Sequence, residues 1–319
     1  MKVGIFGGGN SGKKLAKQLQ SAGVSANFVG DGFRKNPLVL IRLRDYDVIH
    51  GLYVRPAVVF SLIVAKILGK TVVIHWMGTE VMRALTETRI KLMALILDKF
   101  VDLNLVPSEN LQKDLRRIGI DSALLPLPVD FEYFAGNELP PLPDKFSVLS
   151  KLVDDSLWGG WLYGSDVILR LAKDLPDVSF LIVPAKDSGP TWLLSRKDEA
   201  PNIVFLSWKN NLFEVYKQTT VLLRLTRYDG MSYMVMEALA LGRQVIWSCN
   251  NLPFCHYVRS YDQVKETLLE IRMNPRLNLE GAEYARKHLS SEYIIKELIK
   301  IYNKLVSGDK LLSNETVYR

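Results

Sequence analysis

Cysteine is scarce in this chain: Cys249 and Cys255 are the only two among 319 residues. They lack the paired spacing of a four-ligand zinc site and cannot build a disulfide framework, which points to a reducing, cytoplasmic setting. Histidine is nearly as rare. With only His50, His75, His256 and His288, no metal-ligand cluster can be read from the sequence, and no metal is expected. No apolar run reaches membrane-spanning length, because the longest, residues 56–74, is broken by Lys66, Gly69 and Lys70. The start, MKVGIFGG, reads at once as a strand and carries no leader architecture. Internal repeats and low-complexity tracts are missing too. So are RNA-recognition, zinc-finger and helix-turn-helix signatures, and nucleic acid is therefore not expected as a partner despite a net charge of +7.

What remains is a globular composition, 48% hydrophobic and 24% charged, on a chain long enough for two domains with separate cores. Apolar strands alternate with amphipathic helices from the first residues. A strand at residues 2–6, a Gly-rich turn, a helix near 12–22 and a strand near 26–30 make a Rossmann-like opening, and the alternation continues through 48–50, 57–68, 72–75, 86–100, 103–106 and 109–118. Residues 137–144, NELPPLPD, hold three prolines that neither a helix nor a central strand tolerates, so a hinge is expected there. The expected domains are 1–140 and 141–319. The second repeats the alternation with strands at 147–151, 179–183 and 203–206, and its sheet should be parallel.

The richest stretch is residues 220–248, TVLLRLTRYDGMSYMVMEALALGRQVIWS. It reads as strand, turn, helix closed by Gly242, and strand, which is a βαβ unit. Ligands of such units sit beyond the carboxyl ends of the strands, where helix N-termini attract anions. Asp229 falls on that lip. Glu237 is the one charge in an otherwise apolar helix, and a carboxylate drawn into the interior needs donors, which a vicinal diol such as a ribose supplies. Two plainer readings stand beside this one. Glu237 pairs with Arg224 or Arg243, and Asp229 is an ordinary turn former.

An acid, seven residues and Glu in a strand–loop–helix, followed by a small-residue helix, Gly and an apolar strand, resembles the nucleotide-sugar site of family-4 retaining glycosyltransferases of the GT-B fold. Residues 47–50 (DVIH), 72–81 (VVIHWMGTEV) and 106–134, which end in a P-x-x-V-D-x-x-x-F-like segment, resemble further parts of that family in the expected order. The resemblance implies an α/β protein with two Rossmann-like domains facing across a cleft. It also implies a final helix, about 289–306, crossing back to the first domain. The implied activity is transfer of a hexose from a nucleotide-diphosphate sugar to a hydroxyl of a glycan, lipid-linked glycan or polysaccharide, with retention and without a cofactor. On the same ground Asp229 and the backbone at Met231, Ser232 and Tyr233 would meet the donor sugar and phosphates, and Glu237 the ribose. His75 and Glu80 would face the donor from the first domain, although Met77 occupies the place of the usual His. Lys151 would meet the diphosphate, and Lys209 would lie near the base. The sequence departs from the family by carrying Asp rather than Glu at 229. It also has Tyr163, rather than Lys, before Gly164, so that either Arg227 or Lys186 replaces that charge, or the helix dipole at Ser232 carries more of the binding, or activity is weak.

Residues 7–12, GGGNSG, match G-x-G-x-x-G between a strand and a helix, with Asp31 ending the next strand. Alone they would indicate a nicotinamide-dependent oxidoreductase. Under the resemblance, Gly8 and Gly9 instead let the backbone approach donor phosphates. A catalytically silent nucleotide-sugar-binding module is the third alternative. Residues 87–100, ETRIKLMALILDKF, mix basic and apolar side chains, so either a core helix with a basic edge or a helix lying on an anionic membrane fits them.

Overall fold

The computed structural model describes residues 1–30, 39–129, 131, 138–153, 159–184, 190–207 and 212–308. By its contacts the chain divides into two compact units, Met1–Val129 with His288–Arg319, and Asp130–Lys287. In the first unit the order is β1 (Lys2–Gly7), α1 (Asn10–Ser21), β2 (Ser25–Gly30), α2 (Val39–Arg42), β3 (Val48–Leu52), α3 (Pro56–Ile67), β4 (Thr71–His75), α4 (Thr79–Thr86), α5 (Thr88–Asp98), β5 (Leu103–Val106), α6 (Glu109–Arg117) and β6 (Ala123–Leu124). In the second it is β7 (Ser147–Leu152), α7 (Gly159–Tyr163), α8 (Ser165–Asp174), β8 (Ser179–Pro184), α9 (Thr191–Leu194), β9 (Ile203–Phe205), α10 (Phe213–Lys217), β10 (Val221–Arg224), α11 (Tyr233–Ala240), β11 (Gln244–Trp247), β12 (His256–Tyr257), α12 (Tyr261–Met273) and α13 (Leu279–His288). Last comes α14 (Ser291–Val306), which belongs to the first unit.

Each unit is built on a six-stranded sheet, ordered β2-β1-β3-β4-β5-β6 and β12-β11-β10-β7-β8-β9, and the strand pairs are parallel. The α/β class with two Rossmann-like sheets is the one expected. Strands such as Val221–Arg224 and Gln244–Trp247 are buried along their whole length, as a sheet covered by helices on both faces requires. Val148, Phe180, Ile182, Val221, Leu223 and Ile246 form the centre of the second core. Each such side chain contributes roughly 1.5–3 kcal/mol by leaving water.

The helix expected near 86–100 is α5; α4 precedes it as a further helix, and Glu87 (φ −116°, ψ 111°) runs extended between the two. The final helix expected at about 289–306 is α14, which starts where the Ser290 side chain accepts from the Tyr293 N–H. The contacts divide at Val129, ahead of the prolines. Val129 bridges to Ser290 and accepts from the Ser291 N–H, while Arg243 Nη2 donates to the carbonyls of Pro140 (2.9 Å) and Pro141 (3.1 Å) and ties them to the second unit.

Candidate functional site

In each sheet the strand order reverses at one place, between β1 and β3 in the first and between β7 and β10 in the second. Such switch points open a crevice at the carboxyl ends of the strands. In the second unit Val148 pairs with Val221 and Leu149 with Leu222. The same register carried two residues on sets Lys151 beside Arg224, on the same face of the sheet. Beyond Arg224 the chain turns at Asp229. Arg224 donates to Asp229 Oδ2 through Nε (2.9 Å) and Nη2 (2.7 Å), and Thr226 Oγ1 donates to the same oxygen (3.3 Å). The turn is also held from behind, because the Asp229 N–H points at Cys249 Sγ (3.0 Å) and Asn250 Nδ2 donates to the Gly230 carbonyl (2.6 Å).

The next helix, α11, starts at Ser232, whose side chain makes no capping hydrogen bond, and the positive end of its dipole faces the turn at Asp229. Its one charge, Glu237, accepts from the Tyr216 hydroxyl at 2.8 Å. Burial, and then the carboxylate of Glu237, push the Tyr216 hydroxyl well above its ordinary range. Lys151 is pushed down by burial and by the charge of Arg224, and drawn back up by Glu237 and Asp229. Burial opposes the charge of Arg224, yet Asp229 and Tyr163 more than offset it and the group is held above its usual value. Two cations and two carboxylates therefore sense one another at a single sheet edge. That edge can take a polyanion through Lys151, Arg224 and the α11 amides, and a diol through Glu237.

Around this cluster, Tyr163 lays its ring 4.9 Å from the Arg224 guanidinium. It reaches there because Gly164 (φ 71°) turns tightly against Leu225, where a Cβ would meet backbone and side chain at 2.9 Å. Arg227 stacks 5.1 Å from the Trp161 ring, donates to the Trp161 carbonyl and pairs with Asp166 (3.3 Å). Met231 and Tyr233 are half-buried and Ser232 is buried beside them. Lys209, Lys186 and Asp31 lie outside the described residues.

In the first unit the switch point carries Gly7, Gly8 and Gly9, all with positive φ (77°, 75° and 50°). A Cβ on Gly8 would strike Leu52 at 2.7 Å, whereas Gly9 faces open space. His75 ends β4 but is buried. Its Nε2 bonds the Leu125 carbonyl (2.8 Å) and its ring stacks 5.7 Å from His50, whose Nδ1 meets the Tyr302 hydroxyl at 2.5 Å. Its position is that of a packed strand-end residue, closed to a donor sugar in this structure. Glu80 is turned inward as well. It accepts from the Met77 N–H at 2.6 Å, just ahead of α4, while Oε2 is buried without a hydrogen-bond partner and burial pushes the carboxyl pKa up.

No family model and no curated protein sequence matches the chain. Solved structures do. HepE of Anabaena, in complex with UDP, is 12% identical, with a TM-score of 0.70 over 95% of this chain and 100% of that one. Sucrose-phosphate synthase of Thermosynechococcus elongatus is 14% identical, with a TM-score of 0.74 over 97% and 100%. The lipopolysaccharide outer core galactosyltransferase WaaB, in its apo form, is 12% identical, with a TM-score of 0.65 over 95% and 100%. The fold is GT-B.

Of the residues expected at a GT-B donor site, the second unit brings Lys151, Asp229, Glu237 and the start of α11 together. Arg227 is engaged with Trp161 and Asp166. Arg224, Tyr216 and Thr226 complete the cluster. The sequence raised Arg224 only as a partner for Glu237, and its actual partner is Asp229. Its place as the single cation ending an apolar strand, five residues before Asp229, was the available signal; Tyr216 offered none. Among the described residues no group of three or more His, Cys, Asp or Glu is placed to hold a metal, and no helix is long and apolar enough to cross a membrane.

Proposed function

We propose that this chain transfers a hexose from a nucleotide-diphosphate sugar to an acceptor hydroxyl, with retention at the anomeric carbon. The observation that carries the reading is the convergence of Lys151, Arg224, Asp229, Glu237 and the uncapped α11 terminus at the switch point of the second sheet. Binding supplies most of the catalysis. As the bond between the anomeric carbon and the diphosphate breaks, negative charge grows on the leaving group, and fixed cations and amides stabilise it there. Glu237 would receive the ribose hydroxyls, with Tyr216 holding the carboxylate in place. Gly8 and Gly9 would contribute amides from the first unit, where Gly9 has room for a close approach.

UDP is bound by a structural neighbour, which favours a uridine nucleotide as the first donor to try. For the acceptor, a lipid-linked glycan is supported by the exposed apolar and basic stripe of α5 and its C-cap, in which Arg89, Leu92, Ile96 and Lys99 recur at helical spacing.

The test is thermal shift of the whole chain against UDP-, GDP- and ADP-sugars, with NADH and NADPH as the competing set. One class of nucleotide sugar should stabilise the protein. Glu237→Ala should then weaken that donor by about 10- to 100-fold, the effect of one charged hydrogen-bonding group, with melting of the free protein little changed. Stabilisation by nicotinamide cofactors alone would overturn the reading, and unchanged donor affinity in Glu237→Ala would remove the ribose assignment. Donor binding without turnover against any acceptor would mark a silent module.

A further inference from the structure

We infer that Arg224 supplies the second diphosphate-binding cation of this site, in place of the lysine expected at position 163, with Asp229 acting as its positioning residue. The inference rests on the nucleotide-diphosphate reading above and adds a residue to it. Arg224 ends one strand of the switch point and Lys151 lies level with it on the other, so the two cations straddle the crevice.

A guanidinium carries five N–H donors in a fixed plane. Nε and Nη2 each give a bond to the same Asp229 oxygen, which orients the fork; the Tyr163 side chain also hydrogen-bonds the guanidinium, and the donors spent on neither partner can serve a phosphate. The ring of Tyr163 lies 4.9 Å from that guanidinium. A lysine at 163 would instead bring an ammonium toward Arg224, with Lys151 already beside it. Tyr163 and Arg224 therefore read as one exchange: the cation has moved from the loop before Gly164 to the end of the strand, and an aromatic face fills the position it left. The motif acid is correspondingly shorter here, and its carboxylate is engaged by Arg224 at 2.7 Å.

The experiment is calorimetric titration of the whole chain with UDP and UMP, and with the GDP/GMP and ADP/AMP pairs. The wild type should prefer one diphosphate over its monophosphate. Arg224→Met should reduce that preference about 10- to 100-fold, as expected for one charge-assisted contact, and Arg224→Lys should recover part of it. Arg224→Met/Tyr163→Lys should keep more of the preference than Arg224→Met alone, because the cation is returned to the loop. If Arg224→Met folds poorly with Asp229 left unpaired, Arg224→Met/Asp229→Asn removes both charges and permits the same comparison. Equal losses for mono- and diphosphate, or no loss, would show a structural role and refute the inference. Failure of the wild type to bind any nucleoside diphosphate would instead refute the donor reading on which it rests.

Discussion

Acid should loosen the first unit through its buried histidine pair. Burial lowers the pKa of His75 from 6.5 to about 4, against a smaller upward pull from the Leu125 carbonyl, and His50 is lowered by burial and by His75. The groups facing them are the Tyr302 hydroxyl and the Leu125 carbonyl, neither of which supplies a negative charge. Both histidines are thus held neutral in the folded chain and become protonated in the unfolded one below 6.5. The unfolded state binds more protons across this window, so stability is complete above pH 6.5 and is lost as pH falls toward 4. For His75 alone, the fall to about 4 corresponds to about 3 kcal/mol, a large part of an ordinary domain's stability. His50 adds to it in the same direction. The assay is urea unfolding of wild type and His75→Gln between pH 7 and 4, followed by tryptophan fluorescence. Gln can keep a donor on the Leu125 carbonyl but does not titrate. Its stability should fall by about 3 kcal/mol less over the window. Glu80, whose raised pKa acts in the opposite sense, is common to both proteins and cancels. Equal pH slopes in the two proteins would refute the argument.

Two further outcomes follow from the first unit. Gly12→Ala would place a Cβ 2.3 Å from the Gly7 carbonyl oxygen and 2.8 Å from the Phe28 ring, and should cost upwards of about 2 kcal/mol; Gly9→Ala meets no atom within 4 Å and should lose only about 1 kcal/mol, from its positive φ. Thermal melting of both variants decides this, and similar melting points would contradict it. For the α5 stripe, co-sedimentation with phosphatidylserine-containing vesicles should capture the wild type and release Leu92→Glu/Ile96→Glu, both changes lying on exposed positions. Equal capture of the two proteins, or none, would remove the membrane-surface acceptor.

Much of this molecule is written locally in its sequence. Wholly buried, largely apolar strands such as Val221–Arg224, each followed by a turn and a helix, declare a parallel sheet, and Gly242 (φ 68°) stops α11 where its position in the sequence says it should. Asp229 and Glu237 could be assigned to the sheet edge because local chain direction alone sends a strand–turn–helix there. Their partners could not. Arg224 stands beside Lys151 only through the register of two strands separated by four helices and two other strands, and Tyr216 reaches Glu237 from a short helix with no distinguishing pattern. The fate of His75 was equally non-local. A strand-end histidine normally faces a crevice, but the Leu125 carbonyl and the stacked His50 draw this one inward. The division between units was hidden for a related reason. The prolines mark where regular structure stops, whereas tertiary bonds from Val129 and from Arg243 decide which unit each segment joins.

The bond between His50 and Tyr302 joins a strand made early to a helix made late. On the ribosome, the first unit must wait, its core open beneath β3, until the whole second unit and most of α14 have been synthesised. The second unit, continuous in sequence, can fold during that interval. The order of folding is therefore expected to run against the order of synthesis, and a chain that stops short of residue 302 would release a finished second unit attached to an unfinished first one.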